Sequence, residues 1–444
     1  MKISTPGTSL FLAMALSALG ACGSDINDAP PRLIPGGGIG DGAILGLVHV
    51  TVIDGDTDQP IGNAAVRLGE PGETPLEGLT DSAGLLTIED GSLDGATTVT
   101  VTHEDYVAST WFGANGANIT IPLTVRDQSP EAVPQAQLEG GINGWDTLPI
   151  PPQGHLILGV VTATQSGELG DPANEIPQSM MDQNVCVRLP FIGGDCDWTL
   201  DSRTGDLGLY ALIIDLDTAT EEIEIIGLAY KLGVTVEADV GQNGIMLDLV
   251  EAGALENLDV TLPMPPPGLD ATALLGLDLG DAGLMITDFL DPEAPTVTVP
   301  SLVGDFASAT YTGIAIAEGS GGAAAIVIND LPVSDGAVDF GEWLSLPSEL
   351  AYAGGEYSFT PSADASLHIV DIADSNGDNV WAIALADGRT SFTLPGLDPD
   401  PLPSGELTFT VNALDIAIDL QDFSLDDLLQ DIARTASNEH TFTR

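Results

Sequence analysis

Apolar positions along this chain come in short runs that alternate with polar ones. Thr97-Thr98-Val99-Thr100-Val101-Thr102 and Leu407-Thr408-Phe409-Thr410-Val411 repeat every second residue, and Ala325-Ile326-Val327-Ile328 is a brief continuous run. Gly, Asp and Pro break these runs. A period of two with frequent breakers predicts strands joined by tight turns. The chain carries 52 Gly and 30 Pro in 444 residues, more than helix-rich proteins tolerate, which makes the expected class all-β. The expected architecture is a tandem of β-sandwiches, Ig-like or prealbumin-like. One segment departs from the pattern. Ser424 and Asp427 form a capping box, and Leu425, Leu428, Leu429 and Ile432 recur at helical spacing. Asp426 and Asp427 at its start and Arg434 in its last turn suit the helix dipole, so one short C-terminal helix is expected, packed on a sheet.

Composition shifts divide the chain. Residues 41–126 form the most legible β unit. Residues 127–153, with Pro130, Pro134, Pro149, Pro151 and Pro152, are expected to be a stiffened linker. A second β region spans 154–265, a connector 266–293, and a third β region 294–444, the last two regions forming either one unit or two. Ile157-Leu158-Gly159-Val160-Val161 echoes Ile44-Leu45-Gly46-Leu47-Val48, a single pentapeptide on which a repeat could rest.

The N-terminus supplies an address. Met1-Lys2 precedes an apolar stretch from Leu10 to Leu19, too short for a bilayer span, which takes about 20 apolar residues, but suited to a signal peptide. Leu19-Gly20-Ala21-Cys22 resembles the lipobox of bacterial lipoproteins. The resemblance implies cleavage after residue 21, acylation of Cys22 (palmitate among the chains), and, with Gly23 rather than Asp following, the outer membrane. Several acyl chains anchor stably. Residues 22–40, rich in Gly, Pro and Asp, are then a lipidated tether, and the remainder works in the cell envelope, periplasmic or surface-exposed.

Within 41–126, Gly46, Gln59-Pro60-Ile61, Asn63-Ala64-Ala65-Val66, Thr80-Asp81 with Gly84, and the strand leading to Tyr106 resemble the carboxypeptidase regulatory-like domain, a transthyretin-like sandwich of seven strands. Asp58 stands where that family usually carries Gly. The resemblance implies an accessory module, a spacer or a docking or carbohydrate-binding unit, with no catalytic residues to transfer. The residues themselves allow Asp81 to cap a turn and Gly84 to take positive φ.

Charge narrows the partners. Ten Lys and Arg face 67 Asp and Glu, a formal net charge of -57, and after residue 21 the only lysine is Lys231. Such a surface repels nucleic acid and anionic headgroups and attracts cations. Cys186 and Cys196 flank Gly193-Gly194. A turn there would fold two short strands back on each other and form a disulfide in an oxidising envelope. The histidines (His49, His103, His155, His368, His440) are scattered, without zinc spacing, and no Gly-x-Ser-x-Gly elbow is present. Asp374, Asn376 and Asp378 have the oxygen spacing of a calcium loop, but Asn379 replaces its Gly and Leu385 its terminal acid. A hairpin turn at Asn376-Gly377 is the favoured reading. Asp54, Asp56 and Asp58 share the spacing, with a polar β-turn as the alternative.

No cofactor is required by these residues, Ca²⁺ being the one candidate. The sequence points to a non-enzymatic, lipid-anchored envelope protein whose sandwiches serve as a spacer or bind an envelope protein or polysaccharide. A secreted carbohydrate-active or peptidase-type enzyme with an accessory transthyretin-like domain is the alternative.

Overall fold

The structure, a computed structural model, describes residues 44–55, 57–126, 135–165, 184–189, 195–220, 223–250, 255–290, 296–416 and 432–444. The signal peptide, Cys22, the tether, Asp56, and the stretch from Ser424 through Leu429 of the expected helix lie outside these residues.

Among the described residues there are strands and short 3-10 turns but no α-helix. The first seven strands are β1 (Leu45–Asp54), β2 (Ala65–Leu68), β3 (Leu76–Leu79), β4 (Leu85–Asp94), β5 (Thr97–Thr102), β6 (Ala108–Ala114) and β7 (Asn118–Leu123). The next seven are β8 (Gln135–Asn143), β9 (His155–Thr164), β10 (Asn184–Arg188), β11 (Asp197–Arg203), β12 (Gly205–Asp217), β13 (Ile223–Val236) and β14 (Gln242–Leu249). Then come β15 (Leu255–Thr261), β16 (Asp270–Asp278), β17 (Leu284–Leu290), β18 (Thr296–Pro300), β19 (Thr310–Gly319), β20 (Gly322–Ile328) and β21 (Ala337–Asp339). The last are β22 (Ser348–Ala353), β23 (Glu356–Thr360), β24 (Leu367–Ala373), β25 (Asn379–Leu385), β26 (Ser391–Thr393), β27 (Glu406–Ile416) and β28 (Ile432–Thr443).

Grouped in sevens, the strands reveal a repeat. In the first group β4-β1-β7 covers β3-β2-β5-β6, and in the third β18-β15-β21 covers β17-β16-β19-β20. Both use the same strand order within the group. The second group has it too, with its two halves joined edge to edge: β10-β9-β12-β13-β14-β8-β11. In all three, the first and seventh strands pair in parallel. The fourth group differs, with β22-β23-β26 facing β25-β24-β27-β28. The pentapeptide echo is not the repeat register. Leu45 begins a first strand, whereas Ile157 lies in β9, a second strand.

The expected linker and connector both contain core strands. β8 buries Leu138 and Ile142 although it lies within 127–153, and β16 and β17 bury Leu275, Leu277 and Met285 although they lie within 266–293. Prolines and glycines beside these strands hide an ordinary in-out alternation, as in the buried-exposed pattern of β8. The expected helix is also corrected where it can be seen. Ile432 and Arg434 lie in β28, paired with β27, and the Arg434 guanidinium meets Asp415 at 2.7 Å. A partner strand in register overrides local helical spacing.

The fourth group is the hub. β28 pairs with β20 and β25 pairs in parallel with β6, so parts of the first, third and fourth groups form one twelve-stranded sheet. At the β6–β25 seam, the buried Trp381 indole donates to Thr110 Oγ1 at 3.0 Å. Arg389 lies 4.1 Å from the Phe112 ring centroid and pairs with Glu70 and Asp387. Gly113, at φ 77°, lies so close to Asp387 that an added Cβ would sit 2.5 Å from the Asp387 Cβ. The second group joins the third through Tyr210, Leu212 and Leu228, which enter the third group's core from the outer face of β12 and β13.

All seven strands of the second group feed one interior, which requires its sheet to roll up. Its edge strands β10 and β11 come side by side, and the Cys186–Cys196 disulfide bridges them with a Cα separation of 5.3 Å. The two strands do not pair with each other, contrary to the expected hairpin; β10 pairs with β9 and β11 with β8.

Two outcomes are expected. Replacing both cysteines by Ala should cost about 2–3 kcal/mol in denaturant unfolding. Hydrogen exchange should rise first in β10 and β11, with β1–β7 unchanged. Gly113→Val should raise exchange along β6 and β25 while leaving the second group protected, because the strain falls on the seam alone.

Candidate functional sites

In each candidate calcium loop the leading carboxylate already accepts hydrogen bonds from protein donors. Asp54 is buried; its Oδ1 accepts from the Thr57 amide at 2.9 Å and its Oδ2 from the Tyr106 phenol at 2.7 Å. Asp58 takes φ 54°, a left-handed conformation that Asp tolerates. Asp56 lies outside the described residues. The neighbouring turn behaves as the sequence suggests: Asp81 Oδ1 accepts from the Ala83 and Leu85 amides, and Gly84 sits at φ 71°.

Between β24 and β25, Asp374 Oδ1 accepts from the Asn376 amide at 2.7 Å and the Asp378 amide at 3.1 Å, and Oδ2 from Asn376 Nδ2 at 3.3 Å. Gly377 at φ 90° completes a hairpin turn. Asn376 and Asp378 are exposed. No group of three or more His, Cys, Asp or Glu side chains among the described residues is arranged to hold a metal.

The histidines stay apart. His155 at the start of β9 sits between two carboxylates at the end of β12, 2.9 Å from Asp215 and 3.8 Å from Asp217. Asp217 also caps the following turn through the Ala219 amide. His49 bonds Thr87, His103 lies beside Asp105 and Tyr106, and His440 meets Phe409 edge to face. His368 is buried with its Nε2 accepting from the Ser362 amide at 3.2 Å, and burial holds its pKa below the ordinary histidine value.

The most unusual polar cluster was not visible as a motif. Asp371 lies on β24, three residues from His368 and on the opposite face. Asn379 Nδ2 on β25 donates to one carboxylate oxygen at 3.2 Å and Asn412 Nδ2 on β27 to the other at 2.8 Å. Burial pushes the carboxyl up to about 7, against the lowering effect of the two amides. The only sequence signal is an acid inside the apolar run Ile369-Val370-Asp371-Ile372.

No protein-family model matches this chain, and no curated protein matches it. Among solved structures, the Bacillus anthracis TIE protein is similar at 9% identity and TM-score 0.16, over 62% of this chain and 45% of that one. This chain therefore spans less than half the length of that protein. The shaft pilin SpaA from Lactobacillus rhamnosus GG is similar at 9% identity and TM-score 0.16, over 47% of this chain and 99% of that one. BcpA, the major pilin subunit of Bacillus cereus, is similar at 12% identity and TM-score 0.15, over 76% and 91%. Scores this low describe no shared global arrangement.

Asp374→Ala should destabilise the protein by roughly 0.5–2 kcal/mol, as loss of a side-chain cap does, by the same amount with and without Ca²⁺ in thermal unfolding. For His368 the folded pKa is depressed. Its contribution is present above the unfolded value of about 6.5 and lost as pH falls through the folded one. His368→Gln should therefore flatten the fall in Tm on the acid side of neutrality.

Proposed function

We propose that this chain is a non-enzymatic, lipid-anchored protein of the cell envelope, held at the outer membrane by Cys22, whose fused sandwiches act as a stiff spacer and present a binding surface to an envelope protein or a polysaccharide. The observation that carries this reading is the continuous sheet. Pairing of β6 with β25 and of β20 with β28 removes hinges between three of the four groups. A sheet of that breadth holds a surface at a fixed distance from its tether, which a string of separately linked modules does not. The residues Leu19-Gly20-Ala21-Cys22 support the anchor, and a net charge of -57 supports a role away from nucleic acid. The residues Gly46, Gln59-Pro60-Ile61 and Thr80-Asp81 with Gly84, by which the first sandwich resembles the carboxypeptidase regulatory-like domain, support an accessory role for it.

Metabolic labelling with palmitate should tag the wild-type protein, and Cys22→Ser should lose the label and leave the membrane pellet. A Cys22→Ser protein that stays in the pellet would sink the anchor. Turnover of glycan or peptide substrates by residues 23–444 would sink the non-enzymatic reading.

A further inference from the structure

We propose that the outer face of β9 and β10, bordered by Asp195 and Asp197, is a docking site for a basic amphipathic helix of a partner protein. The inference rests on the reading that the sandwiches present a binding surface, and it gives that surface a place and a partner chemistry.

The argument starts from an interface already present. On the outer side of the second group's rolled sheet, cross-strand rows run from β12 through β9 to β10: Leu212–Val160–Val185 and Ile214–Leu158–Val187. At the β12 end the rows are covered, because Leu212 lies in the third group's core and Ile214 packs against it. On β9 they are half-buried. On β10 they end in the open, with Val185 and Val187 each 47% exposed. Single apolar side chains scattered over a surface are ordinary. This pair instead extends a face that begins under the third group and continues past its edge.

Charge sets the partner. β9 and β10 hold no Asp or Glu, in a chain that carries 67. The acids begin one strand further on. Cys186 and Cys196 point into the interior and their Cα atoms lie 5.3 Å apart. The exposed Asp195 and Asp197, which flank Cys196, therefore stand beside Val185 and Val187, which flank Cys186. The cation of β11, Arg203, sits at the far end of that strand. From β9 to this acidic border is about 10 Å, two strand spacings, which is the width of one α-helix. A helix laid along β10 sets apolar side chains on the valines and Lys or Arg side chains on Asp195 and Asp197. A second copy of the chain would bring the same carboxylates and a net charge of -57 to that border, and would be repelled. A polysaccharide needs hydrogen-bond donors and acceptors, which the side chains of Leu158, Val160, Val185 and Val187 do not have.

The test uses residues 22–444 carrying Cys22→Ser, purified without detergent, with the helical peptide Ac-LKKLLKLLKKLLKL-amide as probe. At about 0.15 M salt, where long-range attraction is screened, it should bind about tenfold tighter than Ac-AKKAAKAAKKAAKA-amide, which has the same charge. Val185→Thr/Val187→Thr keeps the β-branched shape and should lose that preference; an unchanged preference would overturn the proposal. Asp195→Asn/Asp197→Asn should weaken both peptides, and if it weakens neither the acidic border is not used and the proposal fails. Without any variant, the leucine peptide should slow hydrogen exchange in β9 and β10, and protection confined to other strands counts against the site. Equal affinity for the strand-forming peptide Ac-KLKLKLKLKLKL-amide would overturn the choice of a helix. Sedimentation of the protein alone should give a monomer. A dimer that the two Thr substitutions dissolve would make the occupant a second copy, and dextran that competes with the peptide would make it a polysaccharide; either result sinks the proposal. None of these readouts depends on the acyl chain, so palmitate labelling can succeed where this docking site fails, and the reverse.

Discussion

Backbone N–H and C=O groups at the rim of a sheet need partners, and this requirement organises the molecule. A seven-stranded sandwich of the first or third kind leaves β6 and β20 as the outer strands of its larger sheet. The fourth group supplies both with a ladder at once, through β25 on one side and β28 on the other. The second group meets the same need differently. Its sheet curls until its own two rims meet, and where they meet a covalent bond stands in for a ladder. Parallel β6–β25 pairing is therefore more than a contact between modules, because without it the first sandwich would be a separate body.

Two of the few cations sit where the first and fourth groups meet, and others tie down single groups. Arg67 donates to the Gly396 carbonyl and Arg389 pairs with Glu70, both bridging the first and fourth groups. Arg434 reaches the Glu342 carbonyl, and Arg444 ties the C-terminus to Asp400 and the Leu402 carbonyl. In the second group the buried Arg188 donates to the carbonyls of Trp145 and Asp146. Half-exposed ion pairs add little stability individually. In a chain with so much negative charge their placement matters more for matching one group to its neighbour, since acid facing acid at these joints would push them apart.

The class and most strands could be read from alternation, and the turn chemistry of Asp81 and Gly84 could be read from residue type. The threefold repeat could not. It lives in strand order and parallel pairing, which no local pattern encodes, and the one visible echo matched non-equivalent strands. β8, β16 and β17 were missed because Pro and Gly at their flanks looked like linkers, whereas those residues turn the chain between the two layers of a sandwich. The cysteine pair was legible and its setting was not, because nine intervening residues suggest a hairpin while the strands join opposite rims of one sheet. The acid-rich motifs drew attention to Asp374, whose carboxylate serves its own turn, and to Asp54, whose carboxylate serves its turn and the Tyr106 phenol. The cluster at Asp371 draws on three strands, and only the fold brings Asn379 and Asn412 to the same acid.

The order in which the chain emerges gives the hub a temporal meaning. β6 is made early, and its partner β25 follows only after more than 260 further residues, counted from Ala114 to Asn379. Throughout synthesis the first sandwich has one flank unclosed, and the third waits in the same way for β28, the last of the described strands. Such flanks invite pairing with other nascent chains. A dense negative charge, which keeps neighbouring copies at a distance, is a fitting companion to so late a closure.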